Sequence, residues 1–423
     1  MAMSTIDINV EHLTRVEGHG NIVIKASDGK VEEARWEVTE SPRFFEVMLR
    51  GRPWTDAHVL ASRICGICSV SHQIASIRAT EAAFGITPSE QTWLLRKLLY
   101  DGEVIESHVL HFYFLAAPDL LGAGSVFPLA KSNKDVVARA LRLKKLGNDT
   151  MEVVGGRTVH PQAAQVNGFG RLPSKQQLLQ LRQKYEAALE DLEATVQLFS
   201  TFELPDFARE TEFIALKDPK EFAFISGDIS STDTGITPIS DYLSVTNEYC
   251  VPQSTAKFTK HARGSYAVGA LARINNNYDQ LRPVAKRACD RLGIKPVCHN
   301  PFMNNVAQLV ETVHVVEEGI EMIDRLVDRG LEEEERSVKV REGRGVGAVE
   351  APRGLLIHDY TYDAAGDMVA ANCIIPTNQN HASIQHDLEA LVPRYMDRGE
   401  EHVRLLCEML VRSYDPCISC STH

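Results

Sequence analysis

The sequence predicts an α+β protein that is mostly helical, with a central bundle of long helices and peripheral β-hairpins in its N-terminal and C-terminal parts. Alternating apolar and polar runs flank a DG pair at 28–29, and a second pair of runs turns at AGD, 365–367. Both patterns are typical of hairpins. Apolar residues recur at helical spacing around 280–293 and from about 304 to 330, which indicates the helices of a bundle.

The remaining elements are assigned from periodicity and capping signals. Residues 53–85 predict a helix, a cysteine-bearing turn and a second helix, and 88–117 predict one long helical stretch. Ser174 and Gln177 form a capping box that opens a helix running to about residue 202. A last helix is expected from roughly 398 to 413. No repeat or long linker divides the chain, so residues 1–423 are predicted to form a single intertwined domain.

One glycine-rich stretch, GRGVGAVE, carries glycines at 343, 345 and 347. It lacks the strand–turn–helix context that a dinucleotide-binding fingerprint requires. We therefore expect a flexible approach to the APRG segment that follows, and no nicotinamide or flavin site in this chain.

Composition limits the classes of function. The 423 residues are 44% hydrophobic and 24% charged, with a formal net charge of −12. No basic stripe is present that would follow phosphates, so a nucleic-acid or anionic-membrane role is not expected. No apolar run reaches the roughly 18–20 residues of a membrane span. The N-terminus lacks the apolar core of a secretory signal, and a cytoplasmic location is predicted.

Four of the nine cysteines form two C-x-x-C pairs, Cys65 with Cys68 and Cys417 with Cys420. Each pair places two sulfurs on one side of a tight turn, and together they offer four thiolates to a soft or borderline metal. Structural zinc, an Fe₄S₄ cluster and nickel in a sulfur field all fit this set. Zinc ribbons usually pair their knuckles within a few tens of residues, whereas most of the chain separates these pairs. No βαβ unit surrounds either pair, which disfavours a thioredoxin-like role.

A series of motifs identifies a family. RVEGHG, RICGICSVSH, HFYFLAAPD, APRG, IIPTNQN and the terminal DPCISCSTH resemble, in this order, the motifs of the large subunit of nickel–iron hydrogenases. The likeness runs from about residue 11 to the last residue. It implies the fold and activity of that subunit, reversible heterolytic cleavage of H₂ to protons and electrons. The stop at His423 resembles the mature form of the family, which implies a maturation protease and a nickel chaperone.

The resemblance also implies the ligands of the metal centre. Cys65 and Cys417 resemble terminal thiolates on nickel, and Cys68 and Cys420 resemble thiolates that bridge nickel to an iron carrying CO and cyanide. Glu17, in RVEGHG, matches a carboxylate that relays protons from a terminal cysteine.

Further site residues follow from the same resemblance. Arg353, in APRG, resembles a guanidinium over the open face of the two metals, with Asp415 as its partner. Ser107 stands where many family members have an acidic residue facing that arginine. Pro376 and Thr377 match a segment that gives hydrogen bonds to a cyanide.

His72 is expected to donate to a bridging sulfur, although a histidine satisfied within the core fits equally well without the family. A buried magnesium or similar divalent ion is implied on Glu46, the backbone carbonyl of Cys373 and His423. That ion would join the two ends of the chain.

The five remaining cysteines form no group that could hold an iron–sulfur cluster. Electrons therefore require a small subunit with such clusters, which the resemblance also implies. From there they are expected to pass to NAD(P) through a diaphorase or another acceptor module. Two alternatives remain from the sequence: a non-catalytic electron-transfer subunit, whose relatives lack the cysteine pairs, and a scaffold with a structural zinc.

Overall fold

The computed structural model of the protein describes residues 5–423 and has the predicted α+β fold, with long helices inside and small sheets at the periphery. The strands are β1 (Ile6–Val10), β2 (Gly20–Ser27), β3 (Lys30–Val38), β4 (Ala164–Gln165), β5 (Gly168–Phe169), β6 (Glu212–Lys217), β7 (Asp228–Ser231), β8 (Gly235–Thr237), β9 (Asn247–Tyr249), β10 (Phe258–Lys260), β11 (Tyr266–Ala267), β12 (Gly343–Ala351), β13 (Gly354–Tyr362) and β14 (Met368–Ile374).

The α-helices are α1 (Phe45–Leu49), α2 (Trp54–Ala61), α3 (Ser69–Phe84), α4 (Glu90–Val109), α5 (Ala117–Leu120), α6 (Val126–Ser132), α7 (Lys134–Gly155), α8 (Lys175–Phe199), α9 (Ala270–Asn277), α10 (Pro283–Leu292), α11 (Asn304–Arg329), α12 (Pro376–Tyr395), α13 (Glu400–Ser413) and α14 (Ile418–Ser421). Among the described residues, no helix is both long enough and apolar enough to cross a membrane.

The N-terminal hairpin forms as predicted. β2 and β3 pair antiparallel, and both turn residues, Asp28 (φ 51°) and Gly29 (φ 78°), adopt the left-handed conformation of a two-residue turn. β1 adds a third antiparallel strand to this sheet. The alternating burial of β2 and β3 places one face of the hairpin, including the fully buried Trp36, against the core.

The C-terminal hairpin is β13–β14, and it turns at residues 363–367. The glycine-rich stretch before it forms β12, which pairs with β13 in a three-stranded sheet. The expectation of a flexible approach there is wrong. A Cβ atom at Gly345 would lie 2.1 Å from the Ala79 carbonyl oxygen, and one at Gly347 would lie 2.2 Å from the Ala75 oxygen. These glycines let the strand lie directly against the backbone of α3.

The central bundle consists of α4, α7, α8 and α11, and α4 and α11 are buried along nearly their whole length. The helix predicted over 88–117 does not end before Pro118. It passes from α4 through a π-helical segment, Leu110–Ala116, into α5, where Pro118 stands in the first turn and needs no N–H partner. The capping box of α8 has both of its reciprocal hydrogen bonds. The long helices α7 and α12 carried no recognised signal.

The two ends of the chain meet. Glu17 and Cys417 form an isolated parallel β-bridge, in which the Ile418 N–H donates to the Glu17 carbonyl oxygen at 2.9 Å. The Arg43 N–H also donates to the Thr422 carbonyl oxygen at 2.7 Å. The terminal nonapeptide therefore lies inside the molecule, where residues 415–418 are buried.

Candidate metal centre

The first cysteine pair lies at the N-terminus of α3. Cys65 follows a short 3₁₀ turn, and Cys68 is the N-cap residue of the helix. The Cys68 N–H donates to the Cys65 sulfur at 3.3 Å. The free N–H groups and dipole of a helix N-terminus stabilise thiolates, so this position favours anionic ligands.

The second pair reaches the same place from the opposite end of the chain. Cys417 is the N-cap residue of α14, and Cys420 lies within that single helical turn. The Cys417 N–H donates to the Thr377 hydroxyl at 3.1 Å. Thr377 and Pro376 stand at the start of α12, which fixes the position of the tail beside them.

The four sulfurs form one buried cluster. Sγ–Sγ distances are 3.6 Å from Cys65 to Cys417, 3.4 Å from Cys68 to Cys420 and 3.0 Å from Cys417 to Cys420, and all four sulfurs lie within 4.8 Å of one another. Hydrogen bonds from the other three cysteines lower the pKa of Cys65 well below its usual value, whereas burial raises the pKa of Cys420. Four buried thiolates need a cation to balance their charge. The donor set therefore fits a soft or borderline metal centre.

A fixed guanidinium stands beside the cluster. Arg353 donates from Nε to the Asp415 carbonyl oxygen (2.7 Å), from Nη2 to the Asp415 carboxylate (2.9 Å) and from Nη1 to the Ser107 hydroxyl (3.3 Å). Burial alone would lower the pKa of Arg353. The nearby Asp415 carboxylate and cysteine sulfurs nevertheless hold this pKa well above its usual value. The guanidinium is therefore a permanent positive charge, and the Ser107 hydroxyl contacts it.

A carboxylate reaches the cluster from the N-terminal segment. Glu17 Oε2 lies 3.2 Å from the Cys417 sulfur and accepts the Ser419 N–H at 3.0 Å. Glu17 Oε1 accepts the Ser419 hydroxyl at 2.5 Å. A thiol proton on Cys417 thus has a hydrogen-bonded acceptor at hand.

An imidazole lies beside another sulfur of the cluster. His72 Nε2 is 3.8 Å from the Cys420 sulfur, and its Nδ1 is 3.1 Å from His358 Nε2. His358 Nδ1 in turn lies 2.5 Å from the Tyr360 hydroxyl. Burial lowers the pKa of His72 to about 4, so this imidazole is neutral near pH 7.

The three residues expected to hold a divalent ion also meet. Glu46 Oε1 accepts the Cys373 N–H at 2.8 Å and lies 3.6 Å from His423 Nε2. Burial alone would raise the pKa of Glu46, but His423 and the Cys373 N–H lower it. Carboxylate oxygens are typical Mg²⁺ ligands, so the Glu46 carboxylate fits such an ion.

Some residues at the site have no motif that identifies them. Glu103 of α4 accepts the N–H groups of Val70 (2.6 Å) and Ser71 (3.0 Å), and so caps the helix that carries Cys68. Gln308 of α11 donates to the Asp415 carboxylate at 3.0 Å. Only the fold brings these residues to the site, although buried polar residues within apolar helical runs are a general signal.

Comparison with known proteins identifies relatives along the whole chain. The family model "Nickel-dependent hydrogenase" matches residues 43–144 and 232–423, and a second, "HoxL-like", matches residues 7–41. The chain is 34% identical to the alpha subunit of sulfhydrogenase 1 from Pyrococcus furiosus, over 99% of this chain and 98% of that protein. It is 30% identical to a subunit of the F420-non-reducing hydrogenase of Methanothermobacter marburgensis, over 99% and 95% of the two chains.

A solved structure has the same fold. The crystal structure of an NAD⁺-reducing NiFe hydrogenase in the H₂-reduced state superposes with a TM-score of 0.90 at 28% identity, covering 99% of this chain and 100% of that one. The chain therefore belongs to the nickel-dependent hydrogenase large-subunit family, whose members are oxidoreductases acting on H₂. A nickel-dependent family favours nickel among the metals that four thiolates could hold, over a structural zinc.

Proposed function

We propose that this chain is the catalytic subunit of a hydrogenase that cleaves H₂ reversibly at a nickel–iron centre with CO and cyanide ligands. Cys65 and Cys417 would hold nickel as terminal thiolates, and Cys68 and Cys420 would bridge the two metals. When bound, the centre supplies a Lewis acid that makes H₂ acidic, and it takes up two electrons. The observation that carries the proposal is the convergence of four buried sulfurs from opposite ends of the chain.

The proposed role of Arg353 is to orient and polarise hydrogen bound beside the sulfurs. Its two hydrogen bonds to Asp415 hold the guanidinium in one plane, and its positive charge is permanent. Such a preorganised charge acts without reorganising during the reaction. We assign to the segment of Pro376 and Thr377 hydrogen bonding toward a cyanide, in which Thr377 supplies the donor and Pro376 packs beside it, on the support that α12 begins at this edge of the cluster.

Glu17 has the role of proton acceptor. Within the cluster, Glu17 makes its hydrogen bond with the Cys417 sulfur. A proton on that sulfur therefore passes to Glu17 Oε2 over 3.2 Å. His72 lies at Cys420 and is neutral, and its assigned role is to donate a hydrogen bond to that sulfur.

Glu46, the Cys373 carbonyl and His423 would hold Mg²⁺ or a similar ion, which would join the two chain ends close to the cluster. The relatives named as subunits support assembly with an iron–sulfur small subunit. The likeness to an NAD⁺-reducing hydrogenase supports NAD(P) as the acceptor, reached through a diaphorase module. A cytoplasmic location, a maturation protease and a nickel chaperone complete the proposal.

Two measurements on the purified complex test this function. Infrared spectroscopy should show bands of metal-bound CO and cyanide, and metal analysis should give nickel and iron in the large subunit. H₂-dependent reduction of NAD⁺ or NADP⁺ then tests the acceptor, with a viologen dye as the control for hydrogen activation. Zinc alone, without the infrared bands, would contradict the proposed centre.

Glu17→Gln tests the proton acceptor. Because an amide cannot take up the proton, exchange between H₂ and D₂O should fall at least tenfold, while the infrared bands of the metal ligands persist. Asp7→Asn, an exposed change in β1, is the matched control. Normal exchange in the Glu17 variant would contradict the assignment.

A further inference from the structure

We propose that Ser419, Glu40 and His19 carry protons between Glu17 and the protein surface. This inference rests on the proposed function and extends it from the acceptor at the cluster to a complete exit path. The Ser419 hydroxyl donates to Glu17 Oε1 at 2.5 Å and has a second carboxylate neighbour, Glu40 Oε2, at 3.5 Å. Glu40 Oε1 lies 2.9 Å from His19 Nδ1. Four contacts thus connect the Cys417 sulfur to an imidazole.

Exposure increases along this path. Cys417, at the inner end of the path, is buried. Glu40 has 23% of its side chain exposed, and His19 has 63% of its side chain exposed. The path therefore ends in an imidazole that is open to solvent. A second ring, that of His12, lies close to His19, at 5.4 Å between centroids.

The backbone holds the members of the path together. Glu40 follows the end of β3, and its Oε1 also accepts the His19 N–H at 3.0 Å. Gly18 lies between Glu17 and His19, where a Cβ atom would be 2.6 Å from Ile418 Cβ and 2.9 Å from Glu40 Oε1. Its φ of 85° also favours glycine. Gly18 thus permits the close approach that the contacts between the hairpin and the C-terminal turn require.

Each step moves one proton and no electrons. The Cys417 thiol gives its proton to Glu17 Oε2, and the protonated carboxyl group turns this proton toward Ser419. The Ser419 hydroxyl rotates from Glu17 toward Glu40, accepts the proton from Glu17 and passes its own proton to Glu40, which leaves it donating to Glu17 again. The 3.5 Å contact is long for a hydrogen bond, so this transfer requires the Ser419 and Glu40 oxygens to approach each other more closely. Glu40 then protonates His19, and the imidazolium releases a proton to water.

A second hydrogen-bonded chain leaves the cluster but, among the described residues, does not reach solvent. It runs from Cys420 through His72 and His358 to Tyr360, and all of these side chains are buried. Burial raises the pKa of Tyr360 well above its usual value, so its hydroxyl holds its proton. The exposed end of the first path and the buried end of the second favour Ser419 and Glu40 as the exit path for protons.

The test uses the assembled complex with Glu40→Gln and Ser419→Ala, and with Glu33→Gln as the matched control on the same hairpin. Steady-state H₂ oxidation and H₂/D₂O exchange should fall at least tenfold in the first two variants and stay within twofold in the control. Nickel content and melting temperature report whether each variant is assembled. His19→Ala should be slowed and then restored by added imidazole in a concentration-dependent manner, which a purely structural defect would not show.

An infrared readout does not depend on turnover. The difference spectrum between the H₂-reduced and oxidised states should contain a protonated-carboxyl band that shifts in D₂O and disappears in Glu40→Gln. An inactive wild-type complex without metal-ligand bands would overturn the proposed function itself. A different result would overturn the path alone: an active wild-type complex, an impaired Glu17→Gln variant, unimpaired Glu40→Gln and Ser419→Ala variants, and a retained carboxyl band.

Discussion

Single residues determine the chemistry of this site, and the sequence identified most of those that carry motifs. Cys65, Cys68, Cys417 and Cys420 were found because C-x-x-C spacing is local and visible in the sequence. Glu40 and His358 were not found, because their partners lie far away in the chain and only the fold makes them neighbours. The roles assigned to Glu17, Glu46, Arg353 and His423 stay predictions.

At the residue scale, Cys417→Ser is expected to abolish hydrogen turnover. Serine replaces a soft thiolate by a poor ligand for nickel and also removes the sulfur that faces Glu17. H₂-dependent dye reduction measures the loss, and metal analysis shows whether nickel is missing. Cys407→Ser, at a buried thiol in α13 outside the four-cysteine cluster, is the control and should keep activity. Wild-type turnover in Cys417→Ser would refute the ligand assignment.

At the scale of elements, the helix bundle and hairpins followed from periodicity, whereas the glycines of β12 were misinterpreted. Their spacing by two is what a strand face requires, but the sequence does not show what that face packs against. The structure shows the α3 backbone there. The helix α7 was not predicted, although its buried residues recur at helical spacing from Ala140 to Val154. The helix α12 was not predicted either, and its start became clear only through its place at Cys417.

Gly347→Ala tests the contact between β12 and α3. The new Cβ atom would lie 2.2 Å from the Ala75 oxygen and 2.4 Å from the Ala79 nitrogen, and neither backbone atom can rotate away. Overpacking of this kind costs about 1–3 kcal/mol of unfolding free energy. Thermal unfolding measures the loss, and Gly124→Ala, where a Cβ meets no atom within 4 Å, is the control. An unchanged melting temperature for Gly347→Ala would contradict the close packing.

At the scale of the whole molecule, a buried charge network joins the helix bundle to the segment that carries Arg353. Arg273 pairs with Glu311 (2.6 Å) and Glu350 (3.0 Å) and donates to the carbonyl oxygens of Ala351 and Pro352. All three charged side chains are completely buried. Removing Arg273 alone would leave two buried carboxylates without the cation that balances them, which typically costs about 3–5 kcal/mol.

This network makes stability depend on pH. Burial alone would raise the pKa of Glu311, but Arg273 lowers this pKa to about 2. Because the folded-state pKa lies below that of the unfolded chain, Glu311 stabilises the protein above pH ~4.5 and loses this effect as the pH falls toward 2, a contribution of about 3 kcal/mol. Glu311→Gln should make unfolding in denaturant less sensitive to pH between about 5 and 2.

Glu350 acts in the opposite direction over another pH range. Burial raises its pKa to about 7, so it destabilises the fold as the pH rises from about 4.5 toward 7. Glu350→Gln should therefore leave the loss of stability in acid intact and flatten the profile above pH ~5. Identical profiles for both variants and the wild type would contradict a role for this network in acid stability.

The convergence of the two chain ends has a consequence for handling the protein in air. Without metal, four free thiols lie 3.0–3.6 Å from their neighbours, and Cys65 is the one most readily deprotonated. Thiolates attack and oxidise far faster than thiols. An oxidant that enters the metal-free protein should therefore link Cys65 to Cys417, a covalent ring spanning most of the polypeptide, and this bond would shut nickel out until a reductant opens it.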